Sequence, residues 1–133
     1  MSAALATCPC GRLDARGKPL APEACCGRYL DRGLQAPDAE HLMRSRYSAF
    51  VLGRVEYLNA SWDASTRPAD LSLEPGVKWL GLDVKRHRVI DADHAEVEFV
   101  ARSRTGGRAH RLHEVSRFVR EDGHWFYVDG ELK

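Results

Sequence analysis

All the cysteines of this chain lie within nineteen positions near its N-terminus, at Cys8, Cys10, Cys25 and Cys26. A core role for free thiols is disfavoured because the surrounding residues are Pro, Gly, Arg, Asp and Lys. Two disulfides are also disfavoured, since a reducing compartment opposes them and the adjacent Cys25 and Cys26 would pair only under strain. Four thiolates satisfy the tetrahedral coordination of Zn²⁺, and a site closed by protein ligands is typical of structural zinc. The favoured prediction is a zinc centre whose binding energy folds the segment.

The spacing of these cysteines is unusual, because common zinc modules place two residues between paired ligands. The stretches 8–11 (Cys-Pro-Cys-Gly) and 25–29 (Cys-Cys-Gly-Arg-Tyr) resemble the SEC-C zinc motif, which is found at the C-terminus of the SecA translocation ATPase. The resemblance implies that the same four cysteines are the metal ligands. It also implies a protein or ribosomal partner, since the similar segment of SecA is a docking element. His41 is a weak further candidate ligand, more typical of a helix surface.

Composition sets the limits for the rest of the chain. A length of 133 residues with 44% hydrophobic content suits one domain with a small appendage. The formal net charge of +1 does not favour a nucleic-acid or membrane partner. No apolar run approaches the ~20 residues of a membrane span, and no secretory signal is recognisable. We therefore expect a cytoplasmic protein without a membrane partner.

Two helices are predicted after the cysteine segment. Asp38 is a suitable N-cap, apolar residues follow at helical spacing, and Gly53 is a suitable stop. A shorter helix is predicted from Val55 towards Trp62, ahead of a Ser-Thr-Arg-Pro breaker at 65–68.

Alternating residues from Val77 onward predict strands. One face of the first strand is expected to carry Leu80, Leu82 and Val84, and one face of the second Val97, Phe99 and Ala101. Turns at 105–107 and 121–123 bound a third strand, whose changing parity predicts a bulge or strong curvature. The sum is an α+β fold in which helices cover one face of a four-stranded antiparallel meander.

The stretches 43–50 (Met-Arg-Ser-Arg-Tyr-Ser-Ala-Phe), 113–118 (His-Glu-Val-Ser-Arg-Phe) and 123–130 (Gly-His-Trp-Phe-Tyr-Val-Asp-Gly), with Tyr57-Leu58 and Ser61-Trp62, closely resemble the bacterial YchJ-like family. The resemblance implies a SEC-C zinc segment over residues 1–30 and a cone of the nuclear-transport-factor-2-like fold over residues 31–133. Cones of this fold often enclose a pocket, used for isomerase or dehydratase chemistry or for binding alone. They also often pair through their sheets, which makes a dimer an expectation by analogy.

The candidate ligand-binding residues of such a pocket are Arg46, Tyr47, Trp62 and Glu114. A helical wheel places Arg46 at the edge of the core face, where a guanidinium needs a carboxylate partner such as Glu114 or Asp129. A buried ion pair joining helix to sheet is the favoured interpretation, and an anchor for an anionic ligand is the alternative. For the aromatic candidates, plain core packing is favoured over a role as pocket walls.

No catalytic residue is assigned. His113 and Glu114 are adjacent in a strand and so point to opposite faces, which argues against an acid/base pair. The basic hairpin, comprising Arg102, Arg104, Arg108 and His110, lacks interleaved aromatic residues, so a solvated face is favoured over a nucleic-acid interface. Two functional hypotheses result. The first is a noncatalytic adaptor that uses the zinc segment for protein or ribosome contact, and the second is a small-molecule-binding or acid/base cone.

Overall fold

A computed structural model describes residues 7–133 as four helical segments followed by a four-stranded sheet. The helical segments are a 3₁₀ helix at Pro22–Ala24, α1 at Gly27–Leu30, α2 at Ala39–Leu52 and α3 at Val55–Ala60. The strands are β1 at Val77–Asp91, β2 at His94–Thr105, β3 at Arg108–Glu121 and β4 at His124–Leu132. We call α2, α3 and the sheet the cone, and residues 7–30 the cysteine segment.

Helix α2 has the boundaries that the sequence predicts. The Asp38 side chain accepts a hydrogen bond from the His41 backbone N–H, which satisfies one free donor of the first turn. Gly53 ends the helix in the left-handed conformation, with φ of 73°. The described helices include none that is long and apolar enough to cross a membrane.

The sheet is an antiparallel meander of order β1-β2-β3-β4, which confirms the predicted α+β arrangement. Its β1–β2 pairing contains three register shifts, and such bulges bend and twist a strand. The first shift, between Trp79 and Gly81, corrects the prediction for Leu80. Leu80 is 47% exposed, whereas Trp79, Leu82 and Val84 pack on the core, because the bulge reverses the side-chain alternation.

The bulge predicted in the third strand lies instead on its neighbour. Strand β3 pairs with β2 without interruption, whereas β4 carries one extra residue, Val128, opposite the step from Arg117 to Phe118. Residues 112, 114, 116 and 118 of β3 therefore keep one common face, and this face lines an internal cavity. The regular alternation of β3 and the bulge of β4 together determine which side chains face inward.

The cysteine segment and the cone share one hydrophobic core. A single cluster contains all four cysteines together with Met43 and Tyr47 of α2 and Val97 and Phe99 of β2. The predicted face of β2 is confirmed, since Val97, Phe99 and Ala101 are at most 7% exposed. Because the thiols lie inside this core, the cysteine segment covers the cone rather than projecting from it.

Candidate metal centre and ligand cavity

The four cysteine sulfurs form a compact buried group. All four Sγ atoms lie within 4.8 Å of one another, and no cysteine is more than 5% exposed. The Sγ of Cys10 lies 3.7 Å from that of Cys8 and 3.5 Å from that of Cys25. Bonds of about 2.3 Å to a tetrahedral metal imply sulfur separations of roughly 3.8 Å, close to these distances. The chemistry and spacing of the donors therefore fit a metal ion.

Local backbone structure brings the two cysteine pairs together. The Cys8 N–H donates to the Leu20 carbonyl over 2.8 Å, and the intervening chain turns back on itself around Asp14. Gly11 adopts φ of 74° in the turn that follows the first pair. At the second pair, a Cβ on Gly27 would lie 2.7 Å from the Pro22 carbonyl oxygen, so only glycine fits there.

Positive charge surrounds the sulfurs. Arg28 Nε donates to the Cys25 carbonyl over 2.9 Å, and Arg44 Nη1 donates to the Cys10 carbonyl over 3.1 Å. Hydrogen bonding to Cys25 raises the pKa of Arg12. Hydrogen bonds among the four thiols lower the pKa values of Cys8 and Cys25 and raise those of Cys10 and Cys26. A metal ion would take the place of the protons that remain on the group. His41 instead bonds Asp38 through Nδ1 over 2.7 Å and is outside the group that could hold the ion.

An open cavity of about 250 Å³ lies between α2, the end of α3 and the inner face of the sheet. All four predicted ligand-binding residues line it: Arg46, Tyr47, Trp62 and Glu114. The remaining lining residues are mostly apolar or aromatic: Met43, Phe50, Trp79, Phe99, Ala101, Leu112, Ser116, Phe118 and Tyr127. The wall is therefore apolar with a few polar groups, as in many small-molecule sites.

Arg46 is the most unusual of these groups, because its charged side chain is only 6% exposed. Its Nη1 donates to the Leu58 carbonyl over 2.8 Å and to Ser61 Oγ over 2.6 Å. Its Cζ lies 5.1 Å from the centre of the Trp62 ring and 4.6 Å from that of Tyr127. Burial lowers the pKa of Arg46 to about 10, still well above neutral pH. The guanidinium is thus a buried cation, oriented by one helix end and two rings.

The ion pair favoured for Arg46 is not formed. Among residues 7–133, no carboxylate oxygen lies within 4.0 Å of its guanidinium. Asp129 instead bonds Arg117 over 2.6 Å at the exposed side of the sheet. Glu114 lines the cavity but influences Arg46 only over a longer distance. The prediction of a direct salt bridge from helix to sheet is therefore wrong, since carbonyl, hydroxyl and aromatic groups hold the cation.

Glu114 is held on the sheet side of the cavity. Its Oε2 accepts a hydrogen bond from Ser116 Oγ over 2.5 Å. The side chain lies against Gly130, where an added Cβ would overlap the carboxylate. His113 points to the other face, as its position predicts, and its Nε2 lies 2.7 Å from Glu98 Oε2. Glu114 therefore faces the cavity without a histidine partner.

Sequence reasoning missed two polar residues of the cavity wall, Ser116 and Tyr127, and it also missed Ser61, which holds the guanidinium of Arg46. Ser61 and Trp62 are brought in by backbone bonds between α3 and β4, in which the Tyr127 N–H donates to the Ser61 carbonyl over 2.9 Å. Ser116 shares the alternation of Glu114, which is the signal that identifies it.

The basic hairpin is exposed at Arg102, Arg104, Arg108 and His110, but the prediction of one shared face is wrong. Arg108 and His110 pair with Thr105 and Ser103, so they lie on the face opposite to Arg102 and Arg104.

Comparison with known proteins agrees with this architecture. Residues 38–130 match the family model described as the YchJ middle NTF2-like domain. A "UPF0225 protein" of Polaromonas naphthalenivorans is 65% identical over 130 residues, covering 93% of this chain and 96% of that protein. A UPF0225 protein of Bordetella parapertussis is 55% identical, covering 96% of this chain and 94% of that protein.

Two solved structures of SEC-C motif containing proteins have the same fold. The crystal structure from Psychrobacter arcticus has a TM-score of 0.80 and 32% identity, covering 98% of this chain and 84% of that one. The solution structure from Rhodopseudomonas palustris has a TM-score of 0.81 and 32% identity, covering 94% and 97%. The chain is therefore a member of the YchJ-like, UPF0225 family, with an NTF2-like cone preceded by a SEC-C cysteine segment.

Proposed function

We propose that this protein binds a small, largely apolar molecule in the cone, and that a structural zinc ion at the cysteine group stabilises the cavity wall. The observation that carries the proposal is the open cavity of about 250 Å³, whose apolar wall is interrupted by Arg46 and Glu114. An empty apolar cavity costs stability, because its lining side chains lose packing contacts. A bound molecule restores those contacts, and the few polar groups fix its orientation.

Zinc is the metal favoured for the cysteine group. Four thiolates prefer a soft or borderline metal, and tetrahedral sulfur coordination is typical of Zn²⁺ or iron–sulfur sites. The residues that would hold the ion are Cys8, Cys10, Cys25 and Cys26, which leave no position open for substrate. Four thiolates and one Zn²⁺ carry a net charge of −2, which Arg12, Arg28 and Arg44 partly offset. A closed site of this kind supplies stability rather than chemistry.

Helix α2 connects the two sites. On one side it contacts the cysteine segment, with Ser48 Oγ 3.6 Å from Cys8 Sγ and Arg44 bonded to the Cys10 carbonyl. On another side it contributes Met43, Arg46, Tyr47 and Phe50 to the cavity wall. Fixing the cysteine segment therefore fixes a helix that shapes the cavity, and loss of metal is expected to weaken ligand binding.

The adaptor hypothesis stays a prediction that the geometry favours less. The thiols are buried against the cone, so the metal itself offers no surface to a protein or ribosome. The chain between the cysteine pairs is exposed, for example at Leu13, which is 52% accessible. No catalytic reaction is assigned, because the described residues that line the cavity include no histidine, lysine, cysteine or second carboxylate beside Glu114.

Titration with N-phenyl-1-naphthylamine, a neutral fluorophore that brightens in apolar sites, tests the proposal. Wild-type protein is expected to bind about one fluorophore per chain. Ala101→Leu fills space in the cavity, because Ala101 is 3% exposed and lines it. The matched control Ala109→Leu makes the same change at an exposed position of β3.

The expected result is a loss of binding of at least about tenfold in Ala101→Leu, with wild-type binding in Ala109→Leu. Both variants must first show the wild-type far-ultraviolet circular dichroism spectrum. Equal binding by the two variants would mean that the fluorophore occupies another surface, and the proposal would then be wrong.

A further inference from the structure

Arg46 gives the cavity a chemical preference that goes beyond apolar binding. It is the one cationic side chain among the described residues that line the cavity. Only Nη1 of its guanidinium donates a hydrogen bond to an acceptor among residues 7–133, to Leu58 and Ser61. Nε and Nη2 have no acceptor within those residues. A guanidinium carries five N–H donors. Although Arg46 is only 6% exposed, its Nε and Nη2 are not among the fully buried polar atoms that lack a partner, so these donors keep access to the cavity.

The contacts of the guanidinium also fix its plane. Trp62 and Tyr127 lie within 5.1 Å of Cζ, measured to their ring centres, and these two rings pack edge to face at 5.0 Å. Anchored by Nη1 and by the rings, the group presents a preorganised edge, so a ligand need not order it on binding. This arrangement suits an acceptor with two oxygen atoms in one plane.

From these contacts we infer that the cavity takes a small carboxylic acid with an aromatic or branched aliphatic body, whose carboxylate binds Arg46. The inference rests on the proposed ligand-binding function and names the ligand class. A carboxylate matches the guanidinium edge with two parallel hydrogen bonds. A phosphate group fits less well, because its higher charge needs several donors and the cavity offers a single cation. The body of the acid occupies the space between Phe50, Trp79 and Phe99.

Glu114 sets the orientation of such a ligand. Its carboxylate lies on the sheet side and is bonded to Ser116, and it forms no ion pair within 4.0 Å of Arg46 among the described residues. An acidic ligand is repelled by Glu114, so its carboxylate must point towards α2 and α3. Glu114→Gln removes the repulsion with little change in shape, and is expected to strengthen binding of a simple acid about two- to fivefold.

The test is a competition between two matched probes, 3-phenylpropanoate and its methyl ester, each displacing N-phenyl-1-naphthylamine. The two probes share the apolar body and differ in charge. In wild-type protein the acid is expected to bind at least about tenfold more tightly than the ester, since a hydrogen bond between ions is stronger than one to a neutral oxygen. In Arg46→Gln the two probes should bind within about twofold of each other.

Two controls separate the ligand anchor from a purely structural arginine. Arg104→Gln removes an exposed cation of the basic hairpin and should keep the wild-type preference for the acid. If Arg46→Gln does not fold, the acid-to-ester ratio of wild type and the opposite change in Glu114→Gln still decide the question.

Equal affinities of the acid and the ester for wild-type protein would overturn the inference. Displacement of the fluorophore by both probes would still support apolar binding in the cavity. Failure of the fluorophore and both probes to bind would overturn the proposed function itself. A preference for the acid that persists in Arg46→Gln and disappears in Arg104→Gln would place the carboxylate on the basic hairpin, and the inference would also be wrong.

Discussion

The cysteine group and the cone cavity both lie against helix α2, but one is closed and the other is open. The cysteine group brings four donors within 4.8 Å of one another and closes around a metal-sized centre. The cavity keeps about 250 Å³ open, with Arg46 and Glu114 in its wall but not in contact. A closed set of ligands supplies folding energy, whereas an open apolar space has a stability cost that binding can recover. We therefore assign a stabilising role to the cysteine group and a ligand-binding role to the cavity.

The largest effect is expected from loss of the metal centre. Cys10→Ser, or removal of metal with a chelator, should lower the free energy of unfolding by more than about 3 kcal/mol, because Cys10 is fully buried in the shared core. Thermal unfolding followed by circular dichroism measures the change. Arg16→Ala, an exposed change in the same segment, is the control and should leave the stability within about 0.5 kcal/mol of wild type. A stable metal-free protein would contradict the role assigned to this region.

The second effect concerns packing beside the metal ligands. Gly27→Ala should cost about 2–3 kcal/mol, since the new methyl group would lie 2.7 Å from the Pro22 carbonyl oxygen. Gly81→Ala is the matched control, because a Cβ there meets no atom within 4 Å. Urea unfolding of both variants gives the difference. Similar stabilities for the two variants would show that the segment rearranges freely around the metal.

A glycine beside the cavity should affect recognition more than stability. Gly130→Ala forces the Glu114 side chain to move, because the two would overlap. We expect a stability cost of about 1–2 kcal/mol together with an altered affinity for 3-phenylpropanoate. The competition assay and urea unfolding measure the two changes. Unchanged affinity would place Glu114 outside the ligand's environment.

The smallest effect tests the helix that both regions share. Burial raises the pKa of Asp38, but hydrogen bonds from His41 outweigh it and leave the pKa below the ordinary value of 3.8. The ionised cap therefore stabilises α2 fully above that ordinary pKa, and its contribution is lost as pH falls through the lowered pKa. Asp38→Ala should cost about 1 kcal/mol at pH 7.

Asp38→Asn separates capping from charge. Asparagine is also a good N-cap, so this variant should keep most of the stability at pH 7 and lose the part of the acid dependence that Asp38 contributes below about pH 4. Urea unfolding at pH 3, 5 and 7 measures both variants. A difference between wild type and Asp38→Asn that stays constant over these pH values would exclude a role for the ionised carboxylate.

The residues of the metal centre can be predicted from the sequence more completely than those of the cavity, for a physical reason. The metal centre depends on neighbours along the chain, so cysteine spacing alone predicts its four members. The cavity depends on distant elements, and helical phase still places Arg46 and Tyr47 on its wall. The partner of Arg46 could not be predicted, because Ser61 arrives through backbone bonds to β4. The positions of β-bulges could not be predicted either. The bulge at Leu80 places this side chain on the face opposite to the expected one.

The metal centre is proposed to hold helix α2, which forms part of the cavity wall. The most direct test of this proposal measures zinc content and N-phenyl-1-naphthylamine affinity on the same samples during a chelator titration of wild-type protein. We expect one zinc per chain at the start, and a fluorophore affinity that falls in step with the zinc removed. Full affinity in zinc-free protein would mean that the cavity wall does not depend on the metal centre.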